Sequence, residues 1–230
     1  GLGHGFRRTG GRLMTGPKVV VLDHGYGNVL SVAHALERAG ARVSLSADAA
    51  EVAQADGLVV PGVGAFAAVM RSLQASRAPQ MIERRLAGGR PVLGICVGLQ
   101  VMFTSGDENG EVTAGLDQWP GMVTALPAAR LPHMGWSKVH VPAQSQLLAG
   151  LDGERFYFVH SYACLSDPAE DLGMDEESRR LFRPPLVSWA HYGADFVAAV
   201  ENRALCATQF HPEKSGPAGA RVFSNWLEML

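Results

Sequence analysis

The stretch Pro91-Val92-Leu93-Gly94-Ile95-Cys96-Val97-Gly98-Leu99-Gln100 constrains this chain more than any other. A short apolar run bounded by turn residues reads as a buried strand. It breaks at a Gly-x-Cys-x-Gly pentapeptide, after which Leu99 to Phe103 restarts as a helix. That pattern is a nucleophile elbow with cysteine in the place of serine. A strand that turns sharply into a helix puts the residue at the corner into a strained backbone conformation. Gly94 and Gly98 flank Cys96 because a Cβ at either place crowds the turn. The thiol then sits at a helix N-terminus, where the dipole and free N–H groups favour thiolate, the nucleophilic form. A buried structural cysteine is the other reading of any lone Cys. The paired glycines and the strand-to-helix switch favour the nucleophile.

The rest of the first half fits a sheet that can hold such an elbow. Lys18 to Leu22, Ala41 to Leu45, Gly57 to Val60 and Pro91 to Ile95 read as strands. They alternate with helices at Val29 to Ala39, Ala47 to Ala53, Ala67 to Leu73 and Gln80 to Leu86. On the first helix Val29, Leu30, Val32, Ala33 and Leu36 are expected to share a packed side. This βαβα order predicts an α/β fold, a mostly parallel central sheet flanked by helices. Functional loops belong at the carboxyl ends of such strands. Asp23-His24-Gly25, Pro61-Gly62-Val63-Gly64 and Cys96 all fall there. The second half reads as short strands at Gly121 to Leu126, Ser137 to Val141, Arg155 to Val159, Leu186 to His191, Phe196 to Val200 and Ala204 to Gln209. They are expected as antiparallel additions to the main sheet. Ala218 to Leu230 closes the chain as an amphipathic helix. Asp167 to Arg180 is an acidic surface stretch.

Residues 17–230 are expected to form one domain, a size that allows a sizeable core. Residues 1–16, rich in Gly and Arg, are expected to be a disordered extension or an expression remnant, with Met14 a candidate native start. Twenty basic against 22 acidic side chains give a net charge of −2. That balance points to neither a nucleic-acid nor a membrane surface. Three cysteines, an odd number, do not make a disulfide framework, so a reducing, cytoplasmic setting is expected.

A cysteine nucleophile needs a base and a group that orients it. His34, in a helix, and His140, in a strand, have ordinary surface or packing explanations. Ala207 to Glu213 offers more: a strand ends, and His211 and Glu213 follow two residues apart. In extended backbone, i and i+2 share a face, so Glu213 can hold the His211 ring while it faces the thiol.

With these residues in view, the chain resembles the class I (triad-type) glutamine amidotransferases. Gly-Ile-Cys96-Val-Gly-Leu-Gln100, Gln209-Phe-His211-Pro-Glu213 and His160-Ser161-Tyr162 are similar to that family's nucleophile, His-Pro-Glu and glutamine-pocket segments. Three further segments are Asp23-His24-Gly-Tyr-Gly-Asn28 with Ser31-Val32, Pro61-Gly-Val-Gly-Ala-Phe66 and Pro132-His-Met-Gly-Trp136. Together they resemble one branch of the family, the glutaminase subunits of imidazole glycerol phosphate synthase. The likeness runs from about Lys18 to the C-terminus. It departs at His24, where the family usually has an aromatic ring, and at Ser137, where it usually has asparagine.

The resemblance implies hydrolysis of L-glutamine through a thioester on Cys96, with His211 and Glu213 completing the triad and no cofactor or metal. It implies an oxyanion site made by the N–H of Val97 and a second N–H from the Gly62-Val63 segment, that of Val63 after a peptide flip. It implies substrate contacts by Gln100, Glu108, Ser161 and Tyr162. Glu108 also reads as an ordinary solvated loop acid, and His160 as a packing residue. The implied partner is a cyclase subunit with a (β/α)₈ barrel that receives the ammonia, with Asn28, Met134, Trp136 and Lys214 as interface candidates. Trp136 also reads as core and Lys214 as a solvated side chain.

Overall fold

Strands that are apolar on both faces need cover from both sides, and the alternating helices supply it. The structure, a computed structural model, describes residues 15–230. The chain runs through β1 (Lys18–Leu22), α1 (Val29–Arg38), β2 (Arg42–Ser46), α2 (Ala49–Gln54), β3 (Gly57–Gly62), α3 (Phe66–Ala75), α4 (Ala78–Ala87), β4 (Val92–Cys96) and α5 (Val97–Gln100). It continues with β5 (Phe103–Glu108), β6 (Glu111–Ala114), β7 (Trp119–Ala125), β8 (His133–Lys138), β9 (Arg155–His160) and β10 (Tyr162–Cys164). Two short helices, α6 (Pro168–Asp171) and α7 (Glu176–Leu181), precede β11 (Leu186–Tyr192), β12 (Ala194–Asn202), β13 (Leu205–Thr208) and α8 (Gly216–Glu228).

Seven strands form the main sheet in the order β11-β12-β13-β4-β3-β1-β2. The five from β13 to β2 are parallel; β11 and β12 run antiparallel at one edge. β3 and β4 are buried at every position, as the apolar runs predict. One link in the topology decides where chemistry can happen. β4 pairs with β3 on one side and with β13, from near the end of the chain, on the other. The carboxyl end of β4 is therefore a crevice between loops from distant parts of the sequence, the usual ligand position in an open α/β sheet.

The second half departs from expectation. Only β11, β12 and β13 join the main sheet; β5, β6, β7 and β10 make a separate four-stranded sheet, and β8 pairs with β9 alone. β8 begins at His133 rather than Ser137. The elbow helix is also shorter than Leu99 to Phe103 suggests: α5 is one turn, and the chain re-enters a strand at Phe103. Val101, Met102 and Phe103 are fully buried, and an apolar run buried on all sides carries no periodicity to separate helix from strand. Leu30, expected on the packed side of α1, is exposed. The expectation for residues 1–16 lies outside the described residues as far as residue 14. Beyond it, Arg42 Nε donates to the Gly16 carbonyl at 2.8 Å. No helix among the described residues is long and apolar enough to cross a membrane.

A buried cation ties the helical layer to the sheet. Arg85 on α4 donates to the carbonyls of Val52, Ala55, Asp56 and Pro91 at 2.7–3.2 Å. Burial, with Arg90 nearby, lowers its pKa to about 10, and the four acceptors replace the water it has lost.

Candidate active site

Cys96 sits at the corner between β4 and α5 with φ 58° and ψ −114°, a strained conformation for any L-residue. The glycines beside it are there for room. A Cβ on Gly94 would lie 2.4 Å from the Gly98 carbonyl oxygen, and one on Gly98 would lie 2.0 Å from the Val60 carbonyl oxygen. The turn thus packs directly on its own strand and on β3. Gly62, the last residue of β3, pairs with Cys96 across the ladder and faces the Val97 and Gly98 backbone.

β13 delivers the base. After Thr208 the chain passes through Gln209 and Phe210 to His211, whose N–H donates to the Tyr157 carbonyl and whose carbonyl accepts from Ser215 Oγ. Pro212–Lys214 is a 3₁₀ turn, not extended chain. The orienting contact expected from an extended i, i+2 pair therefore forms through a turn: His211 Nδ1 lies 2.6 Å from Glu213 Oε1, with side chains 3% and 0% exposed. Burial works against the charged ring. Its neighbours Cys96 and Glu213 outweigh burial and raise the His211 pKa to about 10. The imidazole is thus held as a cation at the wall of the cavity that Cys96 also lines.

A second polar chain reaches Cys96 from the far side. Gln209 Nε2 lies 3.8 Å from Cys96 Sγ, and Gln209 Oε1 accepts from Gln100 Nε2 at 3.1 Å. Gln100 Nε2 also donates to the Tyr162 carbonyl. Sequence reasoning placed Gln209 only within a motif; an amide inside the apolar run Leu205 to Phe210 was the available signal, because a fully buried amide must find partners.

The cavity above the sulfur is about 460 Å³ and is bounded by Val63, Val97, Glu108, Tyr162, His211 and Lys214, among others. That is room for an amino-acid side chain and its α-carbon groups. Of the expected residues, Val63, Val97, Gln100, Glu108, Ser161 and Tyr162 all line it with Cys96 and His211. Gly62 lies behind it in β3. Glu108 is more than a solvated acid: its Oε1 accepts from the Phe66 N–H at 2.9 Å and caps α3. His160 donates from Nδ1 to the Tyr162 carbonyl at 2.9 Å. Burial holds it neutral, its pKa lowered to about 4, so it packs and braces the pocket wall. His34 and His140 are on the surface.

Met134 and Trp136, two apart on β8, are 63% and 50% exposed, so Trp136 is not core. The Trp136 ring meets Tyr157 edge-on at 6.0 Å, and Lys214 Nζ lies 6.0 Å above the Tyr157 ring. Since Lys214 also borders the cavity, this aromatic patch begins at the pocket mouth. Asn28 is half-buried at the start of α1.

Residues 20–230 match the family model described as glutamine amidotransferase class-I. The imidazole glycerol phosphate synthase subunit HisH of Renibacterium salmoninarum is 56% identical over 92% of this chain and 94% of that protein. The protein of the same name from Leifsonia xyli subsp. xyli is 57% identical over 92% and 98%. Among solved structures, PurLQS from Thermotoga maritima has a TM-score of 0.68 at 16% identity, covering 94% of this chain and 99% of that one. At that identity the likeness is one of fold.

Proposed function

From its place in the class I glutamine amidotransferase family, to which this chain belongs, we propose that it is the glutaminase subunit of an imidazole glycerol phosphate synthase. It hydrolyses L-glutamine on a Cys96–His211–Glu213 triad and passes the ammonia to a (β/α)₈-barrel cyclase subunit. The observation that carries this reading is the convergence of the strained Cys96 with a cationic His211 that Glu213 holds, at one end of a pocket of amino-acid size.

The chemistry follows from those positions. The Cys96 thiolate adds to the δ-carbonyl of glutamine. The negative oxygen that results is met by the Val97 N–H, which follows the nucleophile in the elbow, and by the Val63 N–H once the Gly62–Val63 peptide turns toward it. The His211 cation gives its proton to the leaving amine, ammonia departs, and a γ-glutamyl thioester remains. Neutral His211 then takes a proton from water, hydroxide attacks the thioester, and glutamate leaves with thiolate and imidazolium restored. Glu213 keeps the ring oriented and stabilises its charge throughout. Glu108 Oε2, free of the α3 cap, suits the substrate ammonium; Gln100 and the Ser161-Tyr162 backbone border its carboxylate side.

Ammonia released into water at neutral pH becomes ammonium and loses its lone pair. The Met134, Trp136 and Lys214 patch at the pocket mouth, with Asn28, is where a cyclase would seat to receive it, since exposed aromatics are enriched at interface centres. Cys96→Ala tests the reading. Glutamine-dependent turnover with the barrel cyclase and its phosphorylated aminoimidazole substrate should vanish, while cyclase binding stays within about twofold of the parent. Turnover that survives the loss of the sulfur would refute the triad.

A further inference from the structure

His24 lies outside the triad and outside the pocket lining, yet its ring is buried and both nitrogens are engaged. Nε2 is 2.6 Å from the Pro61 carbonyl oxygen, and Nδ1 is 3.0 Å from Ser72 Oγ on α3. Ser72 Oγ also reaches the His24 carbonyl, so its single hydrogen is shared between that oxygen and Nδ1. A carbonyl oxygen only accepts, so Nε2 carries the hydrogen. Burial keeps the pKa of the ring below its ordinary value, against the pull of Pro61 and Asp23, so the ring is neutral and Nδ1 is the acceptor.

The position of this contact in the sheet gives it meaning. The β1–β3 ladder ends at Val21↔Val59, two residues before Pro61. On their other edge Pro61 and Gly62 remain paired with Ile95 and Cys96 of β4. Past the end of β1, the His24 ring takes the edge of β3 that the ladder no longer covers. The same loop closes on the Pro61 ring from another side: a Cβ on Gly27 would lie 2.9 Å from it. The Pro61 carbonyl and the Gly62 N–H belong to one rigid peptide plane. The next plane holds the Gly62 carbonyl and the Val63 N–H, the donor that must turn toward the substrate oxygen.

We infer that His24 is a positioning residue for the oxyanion site: by holding the Pro61–Gly62 peptide plane still, it confines rotation to the Gly62–Val63 peptide, so that the Val63 N–H swings on a fixed pivot above Cys96. The inference rests on the glutaminase reading above. A ring of the same size without a donor fills the same space but leaves the Pro61 carbonyl unheld, and the two peptides can then rotate together.

The experiment uses the chain in complex with its cyclase partner and compares His24→Phe, His24→Gln and His24→Asn. The glutamine amide nitrogen stands where Nε2 stands, and the asparagine amide nitrogen where Nδ1 stands. His24→Phe should lower kcat for glutamine about 10- to 100-fold, part of the loss of one oxyanion donor, with KM within about twofold. His24→Gln should return kcat to within about threefold of the parent, and His24→Asn should not. Labelling of Cys96 by a chloroketone analogue of glutamine, which needs the oxyanion donors, should slow with kcat. Alkylation by iodoacetamide, which passes through no tetrahedral oxyanion, should keep the parent rate. Three results overturn the inference: parent-like kcat in His24→Phe, equal kcat in the Gln and Asn variants, or iodoacetamide rates that fall in step with kcat. Should His24→Phe fail to fold, the Gln–Asn contrast decides alone. If the parent complex neither hydrolyses glutamine nor takes the chloroketone at Cys96, the glutaminase reading itself fails and the positioning role goes with it.

Discussion

Gly98→Ala sets two effects of opposite sign against each other at the elbow. Gly98 is in α5, and by helix propensity alone alanine there stabilises by about 1 kcal/mol. The packing says otherwise. The added Cβ would lie 2.0 Å from the Val60 carbonyl oxygen and 3.1 Å from its carbon, both backbone atoms of a central strand. An ordinary carbon–oxygen contact is about 3.3–3.6 Å, so β3 and the elbow must separate by roughly 1.3 Å or more. Overpacking of this kind costs about 1–3 kcal/mol and can cost more when the neighbour is backbone, so the clash wins with a net loss of about 2 kcal/mol. For a domain of this size that lowers Tm by about 4–8 °C. The displaced segment leads into Val63, so the proposed oxyanion donor moves with it. A misplacement of about 1 Å at a reacting centre costs about a hundredfold in rate. Thermal melts and glutamine turnover read both effects. Gly89→Ala is the control, since its Cβ would meet nothing within 4 Å and only its positive φ is strained; it should lower Tm slightly and leave kcat alone. A Gly98→Ala protein that melts at or above the parent temperature with full kcat would refute the packing argument.

Glu213→Gln removes the carboxylate that helps hold the His211 cation, leaving Cys96 alone to oppose burial. The ring's titration midpoint, followed by NMR, should fall from about 10 toward its ordinary 6.5. A raised pKa stabilises the fold fully below the unfolded value of 6.5 and loses that contribution as pH rises through about 10, so the parent should lose stability across that window more than the variant does. A midpoint that does not move in the variant would sink the assignment of Glu213. Glutamine kcat in the same variant should drop about 10³–10⁴-fold. Trp136→Ala should weaken cyclase binding, measured by calorimetry, about tenfold or more while the Tm of the isolated chain stays put; unchanged affinity would remove Trp136 from the interface.

The elbow was legible because its requirement is steric and local: two glycines, a cysteine and a strand-to-helix switch within five residues. β1, β3 and β4 were legible because unbroken apolar runs belong to strands covered on both faces. The separate sheets of β5–β7 with β10 and of β8 with β9 were not, because partner choice among short strands depends on contacts far along the chain. Leu30 looked like core by periodicity and is exposed, since the stripe covered on α1 is narrower than the apolar positions allow. Gln209 was hidden for the opposite reason: its role is fixed by a buried amide chain whose other members, Gln100 and Tyr162, come from distant segments. His24 stood out only as a departure from a family pattern, and its contact with Pro61 appears only once the end of β1 is laid beside β3.

That β4 lies between β3 and β13 also has a consequence for biosynthesis. Gln209 stands 113 residues beyond Cys96. While the polypeptide leaves the ribosome, the thiol-bearing strand is made long before the strand that must lie against it, and its open flank waits until β13 has been made. Until then the half-built molecule has a sulfur and no acid to partner it, so it cannot turn over metabolites, and its unpaired edge is the place where premature association would begin.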